Sequence, residues 1–163
     1  IAEGADLWPI FSETTYTTDT RFFSAKDFRD MVEGISGKRV TSDIAGAEPI
    51  GPKKLLDIVV VAPCTGNTLG KLANGITDTS VTMACKAHLR NNRPLVIAIS
   101  TNDGLGVNAK NLGLLLNTRN IYFVPFGQDD ALVKSNSLGA KYDMLIPTIE
   151  AALEGNQIQP LLV

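Results

Sequence analysis

Reactive side chains are scarce in this 163-residue sequence, which has one histidine and two cysteines. His88 falls about three turns into a helical stretch, away from the loops that follow the apolar runs. No Ser-His-Asp or Cys-His device assembles around it, so a structural role is expected. Cys64 and Cys85 have twenty residues between them and no second metal-type pair, which excludes a disulfide scaffold and a zinc site and points to a reducing cytoplasm. Excess basic charge is also missing. Fifteen Lys and Arg against 17 Asp and Glu leave a net charge of −2, which provides no field for the phosphate contacts of nucleic acid. Apolar runs such as 58–62 fall far short of the roughly 20 residues that span a bilayer. Neither nucleic acid nor a membrane is expected as a partner. The phosphate motifs G-x-x-x-x-G-K-[ST] and G-x-G-x-x-G do not occur, and Gly104-Leu105-Gly106 is only a fragment of one.

What remains is 44% hydrophobic and 20% charged, the balance of one globular domain. Short apolar runs alternate with amphipathic stretches, the pattern of a parallel sheet covered by helices. Strands are expected at 6–12, weakly at 39–41, at 56–62, 94–100 and 121–124. Helices are expected at 24–37, 65–74, 78–90, 107–116 and 143–154. Asp78 is a candidate N-cap. The threonine-rich segment 13–20 reads as a turn, the Pro- and Gly-rich segment 46–54 as a surface loop, and 127–140 as a long loop of the kind that forms lids or partner contacts. Gly4 reads as the stop of a helix that begins before residue 1, so an opening strand–helix unit is expected ahead of the single domain 1–163.

In open parallel sheets, ligands bind beyond the carboxyl ends of the strands. Four loops on that rim end in small polar residues: Ser12, Ser42, the run 63–68 and the run 100–103. Hydroxyls, amides and helix-start N–H groups suit a phosphate or a flat polar ring, although each loop alone reads equally well as ordinary caps and turns. Cys64 stands near a helix start but has no base in sequence reach, and Cys85 reads as core. Asp103 could cap a turn or touch a ligand. With so few proton-transfer groups, a cofactor, substrate or partner is expected to bring the reactivity.

The run Ala62-Pro63-Cys64-Thr65-Gly66-Asn67-Thr68-Leu69-Gly70-Lys71-Leu72-Ala73-Asn74-Gly75-Ile76-Thr77-Asp78 resembles the P-A-S/T-A-N-T and K-x-A-N-G-I-A-D signature of the flavoprotein superfamily, which includes the FMN-dependent cysteine decarboxylases and the flavin prenyltransferases. Within it, the segments 47–54, 99–106, 122–129 and 157–160 are similar to the dipicolinate-forming branch rather than the decarboxylases. The resemblance implies a three-layer Rossmann-like or flavodoxin-like α/β fold, with a parallel sheet between helices on both faces. It also implies an FMN site in which Ser12 approaches the phosphate, Pro63, Thr65, Asn67 and Thr68 hold the phosphate and ribityl end, and Ser100 and Asn102 flank the flavin.

By the same resemblance the chain oxidises dihydrodipicolinate to dipicolinate (pyridine-2,6-dicarboxylate) in the mother cell of a spore-forming bacterium. Its partners would be a nicotinamide-binding A subunit, which brings NADP, and further copies of itself in a homo-oligomer. A non-catalytic assembly subunit on the same fold is the alternative. A decarboxylase or prenyltransferase is a third reading, but the histidine that decarboxylases carry upstream of the central strand is replaced here by Pro49-Ile50-Gly51-Pro52-Lys53-Lys54.

Overall fold

The computed structural model describes residues 4–21 and 23–163. The helix expected to end at Gly4 lies outside the described residues. The centre of the fold is β2 (Leu95–Thr101), an uninterrupted apolar run whose first five residues are buried, as a strand covered on both faces requires. It pairs in parallel with β1 (Val59–Cys64) on one edge and with β3 (Ile121–Phe123) along Leu95 to Ile97. On one face Leu69, Cys85, Leu112 and Leu115 pack against Val59, Val61, Ile97 and Ile99. They come from α4 (Gly66–Ala73), α5 (Ser80–Leu89) and α6 (Ala109–Leu116). On the other face Val96, Ala98 and Val124 meet Ala152 and Ile149 of α7 (Leu145–Leu153). These are the three layers that the α/β reading expects.

The segment 127–140 is not a loop. It forms an antiparallel hairpin of β4 (Phe126–Asp130) and β5 (Lys134–Ala140), which makes the sheet mixed. β5 bonds to β2 at Ser100 and Thr101, beyond the point where β3 stops, and so walls off the carboxyl end of the sheet. The outer edge of β3 is occupied by Gln157, whose side-chain amide accepts from Phe123 N and donates to Phe123 O, both at 2.8 Å.

The amino-terminal third departs further from expectation. The strands expected at 6–12 and 39–41 reduce to one parallel bridge between Ile10 and Thr41. The turn at 13–20 contains α1 (Glu13–Thr17), started by Ser12, whose hydroxyl accepts from Thr15 N. α2 (Ala25–Ser36) runs as expected from its Ser24 cap to Gly37, which takes the left-handed conformation. The segment 46–54 is helical at α3 (Ile44–Ala47) and in a 3-10 turn (Glu48–Ile50). Its outer residues 46, 48 and 52–54 are exposed as expected, but Ala47 and Ile50 turn inward and pack against Ala84 of α5. The cap of α5 is Thr79, in a reciprocal capping box with Thr82. Asp78 instead pairs with Lys71 at 2.8 Å.

Candidate functional site

A cavity of about 640 Å³ opens at the carboxyl ends of β1 and β2. One wall is the start of α4, where Thr65 stands in extended backbone at the cap position and its side chain accepts from no first-turn N–H. The first-turn N–H groups there keep their hydrogen-bonding capacity and the positive end of the helix dipole. Gly66 is required at this point: a Cβ would lie 2.6 Å from Thr101 Oγ1, 2.7 Å from Asn108 Nδ2 and 2.8 Å from Asp103 Oδ1. The opposite wall comes from Ser137 to Ala140 of β5 and from Tyr142.

Of the residues singled out from sequence, Thr65, Asn67, Ser100 and Asn102 line this cavity together. Thr68 is one turn along α4, with its hydroxyl 3.5 Å from that of Thr65. Pro63 is the penultimate residue of β1, just before the cavity wall. Ser12 caps α1 and shares a hydrogen bond with the Thr15 hydroxyl at 2.9 Å. Thr101 and Asp103 of the rim run 100–103 line it as well, whereas sequence reasoning missed Asn108, Asp129, Ser137 and Tyr142 as lining residues. The one signal for part of this set was Asn108, at the cap of α6, and Asn111 within it, two amides three residues apart that are both buried.

The electrostatics are spare. Among the described residues no lysine, arginine or histidine lines the cavity, and its carboxylates are Asp103 and Asp129. The Thr101 hydroxyl, and after it the Asn108 amide, hold the Asp103 carboxyl below the usual carboxylate range. Asp129 pairs with Lys134 at 3.3 Å. Burial, followed by the neighbouring Cys64, pushes the Tyr142 phenol up. Cys64 itself is fully buried and its thiol is pushed up to about 12, so it is no thiolate nucleophile. Cys85 is raised as well by burial, and His88 is buried with Nε2 3.0 Å from the Pro94 carbonyl. Such a site can bind, orient and shield. Among the described residues its only acceptors of protons are carboxylates.

A second recess, of about 480 Å³, opens between α4, α5 and the turn before β3, at the other end of β2. Its floor is apolar, and Lys86, Arg90 and Arg119 stand around it.

A family model described as Flavoprotein matches residues 13–137. The chain is 49% identical over 163 residues to the B subunit of dipicolinate synthase from Bacillus subtilis, covering all of this chain and 82% of that protein. The crystal structure of the corresponding dipicolinate synthase B chain from Bacillus halodurans superposes with a TM-score of 0.90 at 48% identity, over 98% of this chain and 82% of that one. The FMN-dependent cysteine decarboxylase SpaF is similar in fold alone, with a TM-score of 0.56 at 17% identity over 91% of this chain and 97% of that one.

Proposed function

The chain belongs to the flavoprotein family, and from that premise we propose that it is the B-type subunit of a dipicolinate synthase. With a nicotinamide-binding A subunit, which brings NADP, it oxidises dihydrodipicolinate to dipicolinate, as an oligomer in the mother-cell cytoplasm of a spore-forming bacterium. The observation that carries this reading is the 49% identity to the Bacillus subtilis protein along the whole chain.

The cavity suits FMN on three counts. Its volume lies within the range of about 300–1,000 Å³ usual for small-molecule sites. The uncapped start of α4 offers N–H groups to a phosphate where, among the described residues, no lysine or arginine lines the cavity. Neutral hydroxyls and amides alternate with the Leu138 to Ala140 wall, which fits a flat ring with polar edges. In this reading Thr65, Asn67, Thr68 and Pro63 hold the phosphate and ribityl end, with Ser12 approaching the phosphate, while Ser100 and Asn102 flank the ring. Bound FMN supplies a hydride acceptor. The chain's own part is to fix the substrate ring in one orientation and to keep water away with the hairpin wall, and orientation alone lowers such a barrier substantially. Aromatisation of the product provides the driving force.

The lack of a histidine, lysine or arginine among the described residues of the cavity favours a second reading, an assembly subunit that supports the A subunit without chemistry. Activity assays test the proposal, and a mixture left fully active by G66A, whose added methyl intrudes on the cavity wall, would favour the assembly subunit. Dipicolinate formation is measured with the A subunit alone, with this chain alone, and with both. The proposal expects product only from the mixture. The A subunit alone matching the mixture overturns it.

A further inference from the structure

We infer that Asp103 is the group that takes the proton when the substrate ring aromatises, aimed into the cavity by a chain of hydrogen bonds from Asn74 through Asn111 and Asn108. The inference rests on the reaction proposed above and adds to it a residue and a role.

The bonds run in one direction. Asn74 Nδ2 donates to Asn111 Oδ1 at 3.3 Å, Asn111 Nδ2 donates to Asn108 Oδ1 at 2.8 Å, and Asn108 Nδ2 donates to both carboxylate oxygens of Asp103, at 3.0 and 2.8 Å. The Thr101 hydroxyl adds a bond to Oδ1 at 2.5 Å. Buried amides are costly unless paired, and Asn108 and Asn111 are 8% and 6% exposed. The amide oxygens of Asn111 and Asn108 are each met by the NH₂ of the member before, and the Asn74 NH₂ also donates to the Gly70 carbonyl at 2.7 Å, which leaves one orientation for every member. The last NH₂ therefore has to point at Asp103. The supports sit on rigid elements: Asn111 is on α6, Asn74 caps the end of α4, and Asp103 is further fixed by its carbonyl, which accepts from the N–H groups of Gly106 and Asn108.

Oδ1 receives two donors and Oδ2 one. A carboxylate oxygen has two lone pairs, so Oδ2 keeps an acceptor site, on a residue that lines the cavity. The other titratable groups around the cavity are Asp129 on β4, held by Lys134 on β5, and Tyr142, which retains its proton. The hydrogen bonds that hold the Asp103 carboxyl low keep it ionised at neutral pH.

A weak base is enough for this step. The dihydropyridine gives a hydride from one ring carbon to an oxidised nicotinamide or flavin, which is reduced. A second ring position then loses its proton to Asp103 Oδ2, and the electron pair of that C–H bond completes the aromatic ring. Because losing this proton makes the ring aromatic, the ring is a strong acid at that stage. Asp103 passes the proton on to water.

The test uses the complete pair of subunits and reads rate against pH. In D103N, which keeps the size of the side chain, kcat should fall by roughly a hundredfold or more, the usual range for removing a general base, while FMN affinity stays at the wild-type value. In T101V and N108L the carboxyl loses donors, so its pKa rises and the acidic limb of the rate profile moves to higher pH. Carboxyl NMR of Asp103 reads the same upward shift without reference to activity. A residue that merely braced the loop would lower Tm and leave that limb in place. D103N with undiminished kcat, or T101V and N108L with unmoved titration, overturns the assignment. A wild-type pair that forms no dipicolinate overturns the reaction reading instead.

Discussion

Asn67 shows how far a single residue could be read. Its type and place, one residue inside a helix start after a buried strand, marked it from sequence as a binding group, and the structure leaves it exposed on the cavity wall. Asn67→Ala should change unfolding stability by no more than about 0.5 kcal/mol. FMN affinity should fall about two- to tenfold, the net worth of one hydrogen bond of about 0.5–1.5 kcal/mol. Calorimetric titration beside a melting curve checks both. Asp103 was visible only as an ambiguous loop acid, because its partners Thr101 and Asn108 are brought to it by the turn and not by spacing. His88 was legible as structural but not as buried. Burial holds its pKa below the ordinary 6.5, so the unfolded chain binds the proton more tightly than the folded one. Stability should be full above pH 6.5 and decline as the pH drops below it. The lowered carboxyls, Asp30, Asp78 and Asp103, add their losses only through and below their ordinary 3.8. Denaturant unfolding across the window just below pH 6.5 isolates the histidine. A flat profile there would show that protonating His88 costs the fold nothing.

Elements with strong periodicity were legible and elements built on pairing were not. α2 declares itself through Phe28, Val32 and its two caps, and β2 through an unbroken apolar run. The β4–β5 hairpin hides because most of its side chains are polar. Only Phe126, Ser137 and Leu138 of its twelve strand residues are buried, too few to set an alternation. α3 and the following 3-10 turn hide for another reason. Their prolines and glycines signal a loop, yet Gly51 serves close packing: a Cβ there would sit 2.7 Å from the carbonyl oxygen of Ala87. That contact is with the backbone of α5 and has no rotamer by which to yield. Gly51→Ala should therefore destabilise the protein by about 1–3 kcal/mol, the usual cost of overpacking. Wild-type-like unfolding of G51A would mean that α3 and α5 can part without loss.

At the scale of the molecule, the sheet places two recesses at opposite ends of β2, and the polar one collects the candidate binding groups. Its position followed from a general rule of parallel sheets and was legible. Its far wall was not, since that wall is the unforeseen hairpin. The central claim is that this cavity is an FMN site in a dipicolinate synthase. Its most direct test is to purify the chain together with its A subunit, titrate FMN, and follow flavin absorbance and fluorescence for wild type and for G66A, whose added methyl intrudes on the cavity wall. The account predicts saturable binding at one FMN per copy of this chain, weakened in G66A. No saturable binding by the wild-type pair, or binding that G66A leaves unchanged, would contradict it.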